Sequence, residues 1–425
     1  MKLELRHLAR IEGHAHLVID AQSGRLNSCR LDVFETPRLF EKILVGRHHD
    51  DVAAIVSRVC GVCSNAHTLA SLAASERALG IAVSEQTTRL RHLLAIGEIL
   101  QSHLLQLYFM AAPDYLGVAS IFPLVQERRE LVSRALRLKK LANDLCRVVG
   151  GRPVHPVTPR LGGFATLPAP AELQDVRKRL VAALADLEST VELFASFDYP
   201  AFERPSEYLS LVDEQSYPLA GGMVASSAGW QRPVAEYREV IREYQVPHST
   251  ASFAATQSGS FTVGPLARVR NGFSRLSPMA RQVAVPLGID AECVNPFRTL
   301  AARLVETVHW SEEAMHLIDD VLIDGLREEA AVRPEGGGYG VGAVEAPRGT
   351  LYHAYTYDAS GCIVQADCLI PTAQNLASIE ADLQQLVPRL LDGEREVLRE
   401  QAEKLVRAYD PCISCATHML KIDVC

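Results

Sequence analysis

The chain has no run of 18 or more apolar residues, so nothing in it is expected to span a membrane. It has no excess of positive charge. The net charge is −8, and a chain without a basic face is a poor partner for nucleic acid. Its opening, Met1-Lys2-Leu3-Glu4-Leu5-Arg6-His7, lacks the charged-then-apolar layout of a signal peptide, so a cytoplasmic location is expected. No Gly-x-Gly-x-x-Gly occurs, so no dinucleotide is expected on this chain. There is no internal repeat and no low-complexity linker. A length of 425 residues would by itself suggest two or three domains. The missing linker argues instead for one large domain spanning residues 1–425.

What is present is ordinary for a folded chain with a large core: 48% apolar residues and 22% charged. The 10 cysteines are less ordinary. In a reducing compartment they should be thiols, and most of the six outside Cys-x-x-Cys pairs are expected to be buried as small hydrophobes. Four fall in two Cys-x-x-Cys pairs, each followed by a histidine. One is Arg58-Val59-Cys60-Gly61-Val62-Cys63-Ser64-Asn65-Ala66-His67. The other is Asp410-Pro411-Cys412-Ile413-Ser414-Cys415-Ala416-Thr417-His418, almost at the end of the chain.

Periodicity places these pairs. Alternating residues after Gly13 and a turn at Gln22-Ser23-Gly24 predict a hairpin near the N-terminus. Helical patterns run over 51–79, over 86–110 until Pro113, over 127–149, over 171–197 and from Pro296 to about 327. A last one covers 376–408. The 86–110 stretch is apolar on most faces, as a central buried helix would be. The glycines of 335–340 interrupt the pattern, and 342–371 reads as strands with a turn at Asp358-Ala359-Ser360-Gly361. The expected class is α+β, mainly α: a central bundle of long buried helices with peripheral β-structure near the termini.

Two sulfurs at i and i+3 on a turn can face one point, and His67 lies one helical turn beyond Cys63. Thiolates suit zinc, iron and other late transition metals. A structural four-cysteine zinc site, or two unrelated redox or core pairs, would account for the same residues. Zinc sites usually draw both pairs from one short segment, whereas these lie at opposite ends.

At several separated places, in order and over nearly the whole chain, the sequence resembles the large subunit of a nickel–iron hydrogenase. The matching stretches are Arg10-Ile11-Glu12-Gly13-His14, the two cysteine motifs, Gly150-Gly151-Arg152-Pro153-Val154-His155-Pro156, Glu345-Ala346-Pro347-Arg348-Gly349-Thr350-Leu351-Tyr352-His353, and Ile370-Pro371-Thr372-Ala373-Gln374-Asn375. The resemblance implies a Ni–Fe centre with carbonyl and cyanide ligands on iron. Cys60, Cys63, Cys412 and Cys415 would bind nickel, and Cys63 and Cys415 would bridge to iron. H2 would be split heterolytically, with a metal-bound thiolate as one base for the proton. Glu12 resembles the first proton carrier leaving the site. Arg348 resembles the arginine over the open metal face, acting electrostatically because a guanidinium keeps its proton. Asp114 and Asp410 resemble the carboxylates holding that arginine, and His67 a donor to a bridging sulfur. Glu35-Thr36-Pro37-Arg38-Leu39-Phe40-Glu41 resembles the segment whose last Glu binds magnesium, with His418 and the Cys368 carbonyl as partners. His103 is taken as structural or part of a proton network; where Gln106 stands, the family often has a second His.

The resemblance also implies partners: a small subunit with Fe–S clusters, diaphorase-type Fe–S/flavin subunits, a maturation chaperone, and a protease that removes residues 419–425. No further cysteine cluster is present for an Fe–S cluster here, so electrons must leave through a partner. The wording around Arg348 and Asn375 resembles the cytoplasmic, multi-subunit branch, which passes electrons to NAD(P) or another soluble carrier. An H2-sensing regulatory subunit with the same metal site, and carriers other than NAD(P) (F420-independent, ferredoxin- or heterodisulfide-linked), are the alternatives.

Overall fold

The computed structural model describes residues 2–5, 8–332, 334 and 336–417. His418 and the 419–425 tail lie outside the described residues.

The N-terminal strands β1 (Lys2–Leu5), β2 (Ala15–Gln22) and β3 (Arg25–Val33) form an antiparallel sheet in the order β1-β2-β3. Ser23 and Gly24 turn the hairpin with φ of 51° and 73°. Positive φ at both central residues is what a tight two-residue hairpin requires.

Helices α1 (Phe40–Leu44) and α2 (His49–Val56) follow, then α3 (Ser64–Ala78) and α4 (Glu85–Leu105). The pattern over 51–79 is therefore not one helix. It is broken at Cys60–Cys63, where the backbone opens to present sulfurs. Nor does Pro113 end the central helix. A π-helical segment, Gln106–Ala111, leads into α5 (Ala112–Tyr115), which contains Pro113. The wider turn lets the ladder pass a residue that has no N–H to donate. By length and composition, Glu85–Tyr115 is apolar enough to cross a membrane, but most of it is buried inside the protein. Leu90, Leu93, Leu94 and Ile96 of α4 have no exposed surface. Truncating one such leucine to alanine costs about 2–5 kcal/mol.

Next come α6 (Leu124–Glu127) and α7 (Arg129–Gly150), the short pair β4 (Pro159–Arg160) and β5 (Gly163–Phe164), and α8 (Pro170–Ala195). The middle of the chain supplies β6 (Glu207–Val212), β7 (Met223–Ser226), β8 (Gln231–Pro233), α9 (Tyr237–Val240), β9 (Arg242–Tyr244), β10 (Phe253–Ala255) and β11 (Phe261–Thr262). One sheet has the order β11-β6-β7-β8, and β9 pairs with β10. Helices α10 (Pro265–Gly272), α11 (Pro278–Ala284) and α12 (Thr299–Asp324) complete that region.

The C-terminal part holds β12 (Gly338–Ala346), β13 (Gly349–Tyr357) and β14 (Ile363–Leu369), an antiparallel meander. Of the glycines read as an interruption, Gly338 and Gly340 lie in β12. Alternate glycines of this strand face α3. A Cβ on Gly342, Gly340 or Gly338 would lie 2.0, 2.3 or 2.5 Å from the carbonyl oxygens of Ala70, Ala74 and Ala78. Only glycine lets the strand backbone approach a helix so closely. Finally, α13 (Pro371–Leu386) and α14 (Arg395–Tyr409) replace the single helix expected over 376–408, and α15 (Ile413–Ala416) follows. A 3₁₀ turn at Val387–Leu390, which holds Pro388, separates the first two. The class is mainly helical α+β, as expected.

Candidate metal centre

The chain's two ends meet at the cysteines. Cys60 leaves the 3₁₀ turn Ser57–Val59 in an extended conformation, and Cys63 is the N-cap of α3. The second pair follows Asp410, whose φ is 54°, and spans α15. Cys412 forms a parallel bridge with Glu12. Sulfur–sulfur distances are 3.5 Å for Cys60–Cys412, 3.5 Å for Cys63–Cys415 and 2.9 Å for Cys412–Cys415. All four sulfurs lie within 4.8 Å of one another and all four residues are buried. Four thiolates about 2.3 Å from one late transition metal would stand roughly 3.8 Å apart, so the quartet fits a tetrathiolate ion. Hydrogen bonding from Cys412 holds the Cys60 thiol well below its ordinary range, while neighbouring sulfurs, Cys415 first, push Cys412 well above it. The protons this quartet keeps are those a metal ion must displace.

Each pair has its own support. The carboxyl oxygens of Glu98, from α4, accept the N–H groups of Asn65 (2.6 Å) and Ala66 (2.9 Å) at the start of α3. These donors have no partner inside the helix, so a buried acid satisfies them beside Cys63. Burial pushes Glu98 up to about 8. The backbone N–H groups of Val62 and Cys63 point at Cys60 Sγ, 3.2 and 3.4 Å away. The second pair is held from further off. Ile413 N–H donates to the Glu12 carbonyl (3.0 Å), and Ser414 N–H to Glu12 Oε2 (3.1 Å). Cys412 N–H donates to Thr372 Oγ1 (2.9 Å). Arg38 joins the pairs: its Nη2 donates to the carbonyls of Val59 (2.6 Å) and Ser414.

Arg348 sits at the β12–β13 turn, buried, with Cys63, His67, Cys412 and Cys415 around the same cavity. Its Nε donates to the Asp410 carbonyl (2.6 Å) and its Nη2 to Asp410 Oδ1 (3.0 Å). Its Nη1 is buried without a hydrogen-bond partner among the described residues, as expected of a donor kept for a bound group. Burial alone would lower its pKa, but Asp410 and then the cysteine sulfurs outweigh burial and hold it well above the ordinary arginine range.

Asp114 is not where the resemblance put it. Its carboxylate faces Arg10 (2.5 Å) and Arg407 (2.7 Å), not Arg348. Those two guanidinium groups satisfy both its oxygens, so Asp114 ties the N-terminal segment to α14. His67 Nδ1 lies 3.0 Å from His353 Nε2, and His353 Nδ1 lies 2.5 Å from the Tyr355 hydroxyl. Glu41 is buried and brought against Cys368, whose backbone N–H donates to Oε1 at 2.8 Å. His418 is outside the described residues.

Sequence reasoning gave no role to Glu98, Arg38 or His353. A lone acid in the apolar pattern of α4 was the available signal for Glu98. His353 stands in a quoted motif, and Arg38 in another. A buried acid–base cluster around Arg268 and Glu306 was missed as well.

The comparisons agree with this geometry. A family model described as nickel-dependent hydrogenase matches residues 38–132 and 255–418. The alpha chain of sulfhydrogenase 1 from Pyrococcus furiosus is 34% identical over 427 residues, covering 99% of each chain. A chain of the F420-non-reducing hydrogenase from Methanothermobacter thermautotrophicus is 30% identical over 464 residues, covering 99% of this chain and 95% of that one. The crystal structure of an NAD+-reducing NiFe hydrogenase in the H2-reduced state superposes with a TM-score of 0.88 at 27% identity, covering 98% of this chain and 99% of that chain. Four buried cysteines drawn from both ends of the fold, and matches of this extent, lead to one conclusion: the chain belongs to the nickel-dependent hydrogenase family.

Proposed function

We propose that this chain is the catalytic large subunit of a nickel–iron hydrogenase that interconverts H2 with protons and electrons. The observation that carries the reading is the buried four-sulfur quartet with the Arg348 guanidinium beside it. When bound there, a nickel–iron pair with carbonyl and cyanide ligands on iron supplies the chemistry of heterolytic H2 cleavage. Cys60, Cys63, Cys412 and Cys415 would hold nickel, and Cys63 and Cys415 would also hold iron.

The protein's own groups do the rest. Burial keeps water from the sulfurs and strengthens every charge interaction there. Arg348 stays protonated and stabilises negative charge at the open face, with Asp410 fixing its direction. A thiolate Sγ takes the proton, and Glu12 carries it outward; its carboxylate already reaches the Ser414 amide next to Cys415. His67, braced by His353, would donate to a sulfur shared by the two metals. Glu41, the Cys368 carbonyl and His418 would hold a magnesium ion near the end of the chain. Residues 419–425 are removed by a protease, with a chaperone, once nickel is in place.

The chain works as one domain within a cytoplasmic complex. Its first partner is a small subunit carrying Fe–S clusters. Diaphorase-type Fe–S/flavin subunits complete the complex, with NAD(P) as carrier; the NAD+-reducing structural relative supports the carrier. The F420-non-reducing relatives fit the F420-independent alternative.

The test is metal analysis with an infrared spectrum on protein purified without oxygen. The expected result is one nickel per chain with sharp carbonyl and cyanide bands. Zinc in place of nickel, with no such bands, would sink the reading.

A further inference from the structure

Behind Arg348 lies a set of fully buried charged groups that no step above uses. Arg268, on α10, has no exposed side-chain surface. Its Nε and Nη2 donate to the two oxygens of Glu306 on α12, at 2.6 and 2.7 Å. Its Nη1 donates to Glu345 Oε2 (3.0 Å) and to the Ala346 carbonyl (2.8 Å). Its Nη2 also reaches the Pro347 carbonyl (3.3 Å). Every N–H of the guanidinium is thus used, and an arginine offers no more. Two of the acceptors are the backbone carbonyls directly before Arg348. The start of α10 touches the same turn, since a Cβ on Gly264 would lie 2.8 Å from the Arg348 carbonyl oxygen.

The far side closes back on the site. Glu306 Oε2 is 2.8 Å from His103 Nε2, and His103 Nδ1 is 3.5 Å from Arg303 Nη1. A carboxylate only accepts and a guanidinium only donates, so the imidazole carries its proton on Nε2. Burial lowers His103 to about 4, consistent with a neutral ring. Arg303 Nη1 then lies 3.3 Å from Asp410 Oδ2, on the carboxylate whose other oxygen holds Arg348. Three guanidinium groups, Arg268, Arg303 and Arg348, face three carboxyls, Glu306, Glu345 and Asp410. The path runs from Arg268 to Arg348, whose preceding carbonyls Arg268 already holds; its Arg303–Asp410 link is an ion pair without a hydrogen bond.

We propose that Arg268 is a positioning residue for catalysis. It fixes the Ala346-Pro347-Arg348 turn, and through Glu306, His103 and Arg303 it closes a buried ring with Asp410, so Arg348 is held at its backbone and at its guanidinium together. The inference rests on the electrostatic role given to Arg348 above. Lysine at position 268 would keep the charge but offer three donors from one point, too few and wrongly placed to hold two carboxyls and two carbonyls.

The experiment uses the whole complex purified without oxygen. Arg268→Lys and Glu345→Gln are compared with Arg348→Lys, and with Arg91→Lys as a control for loosening a buried ion pair far from the metals. Nickel content, carbonyl and cyanide band positions, and kcat and KM for H2 are measured. Arg268→Lys should keep its nickel, shift the bands and lose kcat on the order of 10- to 100-fold with little change in KM. Arg91→Lys should leave the bands in place. Nickel-loaded Arg268→Lys with unshifted bands and turnover within roughly twofold of the parent overturns the proposal. If Arg268→Lys does not load nickel, nickel-loaded Glu345→Gln decides by the same criteria. If neither loads, Arg268 serves assembly rather than positioning, and the proposal falls. Should Arg348→Lys turn over normally at full nickel, the role of Arg348 and this inference fall together; Arg348→Lys impaired beside a normal Arg268→Lys overturns this inference alone.

Discussion

The two cysteine pairs supply the same four atoms by different means. Cys60 and Cys63 belong to the start of a long buried helix, and the acid that satisfies that start, Glu98, comes from the adjacent helix. Cys412 and Cys415 sit on a one-turn helix whose partners are remote in sequence: Glu12, Arg38 and Thr372. An isolated single turn is not stable alone, because nucleating a helix costs more than one turn returns. The first pair is therefore half of a preformed cradle. The second is shaped by the N-terminal segment closing over it, so half of the metal site exists only once distant parts of the chain have met.

This contrast sets the order of expected effects. Cys415→Ser removes a ligand from the dependent half and should leave no assembled centre, with nickel reduced by at least about an order of magnitude; full retention of both metals would remove the bridging role. Glu12→Gln keeps most of the shape of the residue that supports the same half but removes its ionisation. Nickel should stay, while turnover falls by roughly 10²–10⁴-fold with H2/D2 scrambling less affected. Full turnover would mean the proton leaves by another route. Arg38→Ala strips donors from the Val59 and Ser414 carbonyls at a cost of about 1–3 kcal/mol each. Chelators should then take nickel faster, and unchanged release would show that the pairs are not joined through Arg38.

Glu98→Gln is the mildest change and probes the preformed half. The folded-state pKa of about 8 is raised above the ordinary 4.5, so the folded protein holds a proton the unfolded chain has lost. Stability from this group is complete below about 4.5 and is lost as pH rises through about 8. Urea midpoints at about pH 6 and about pH 9 should differ less in Glu98→Gln than in the parent. An equal difference would mean Glu98 does not titrate in that window. Glu306 is as buried, yet Arg268 beside it overcomes the burial cost and pulls it down to about 2. Burial alone does not set a carboxyl's charge; the nearest cation does.

Much of the site could be read from residue order, because metal ligation needs fixed residue types at fixed spacing. The two pairs meet, and so do Arg348 and Asp410; Glu41 lies beside Cys368, but it accepts that residue's N–H, whereas the motif pointed to its carbonyl. Long helices were visible through their apolar periodicity. What stayed hidden depends on tertiary partners. Asp114 looked like an arginine holder, and it is one, for Arg10 and Arg407. Pro113 reads as a stop unless a π turn is known to precede it. The Arg268 cluster joins residues 38 and 77 positions apart, and Arg268 itself lies in a stretch with little periodicity. No local pattern announces such a pairing.

The glycine face of β12 carries a last consequence. Four residues of helix advance about 6.0 Å and two residues of strand about 6.8 Å, so the two scales act as a slightly mismatched vernier. They can be aligned closely at one graduation only and must drift apart from there. The drift is visible: the hypothetical Cβ clearances open from 2.0 Å at Gly342 to 2.5 Å at Gly338. The tightest graduation is the one nearest Cys63. Helix and strand are indexed to each other at the metal end, and the accumulated error is discharged toward the far end of α3, where no ligand needs to be placed.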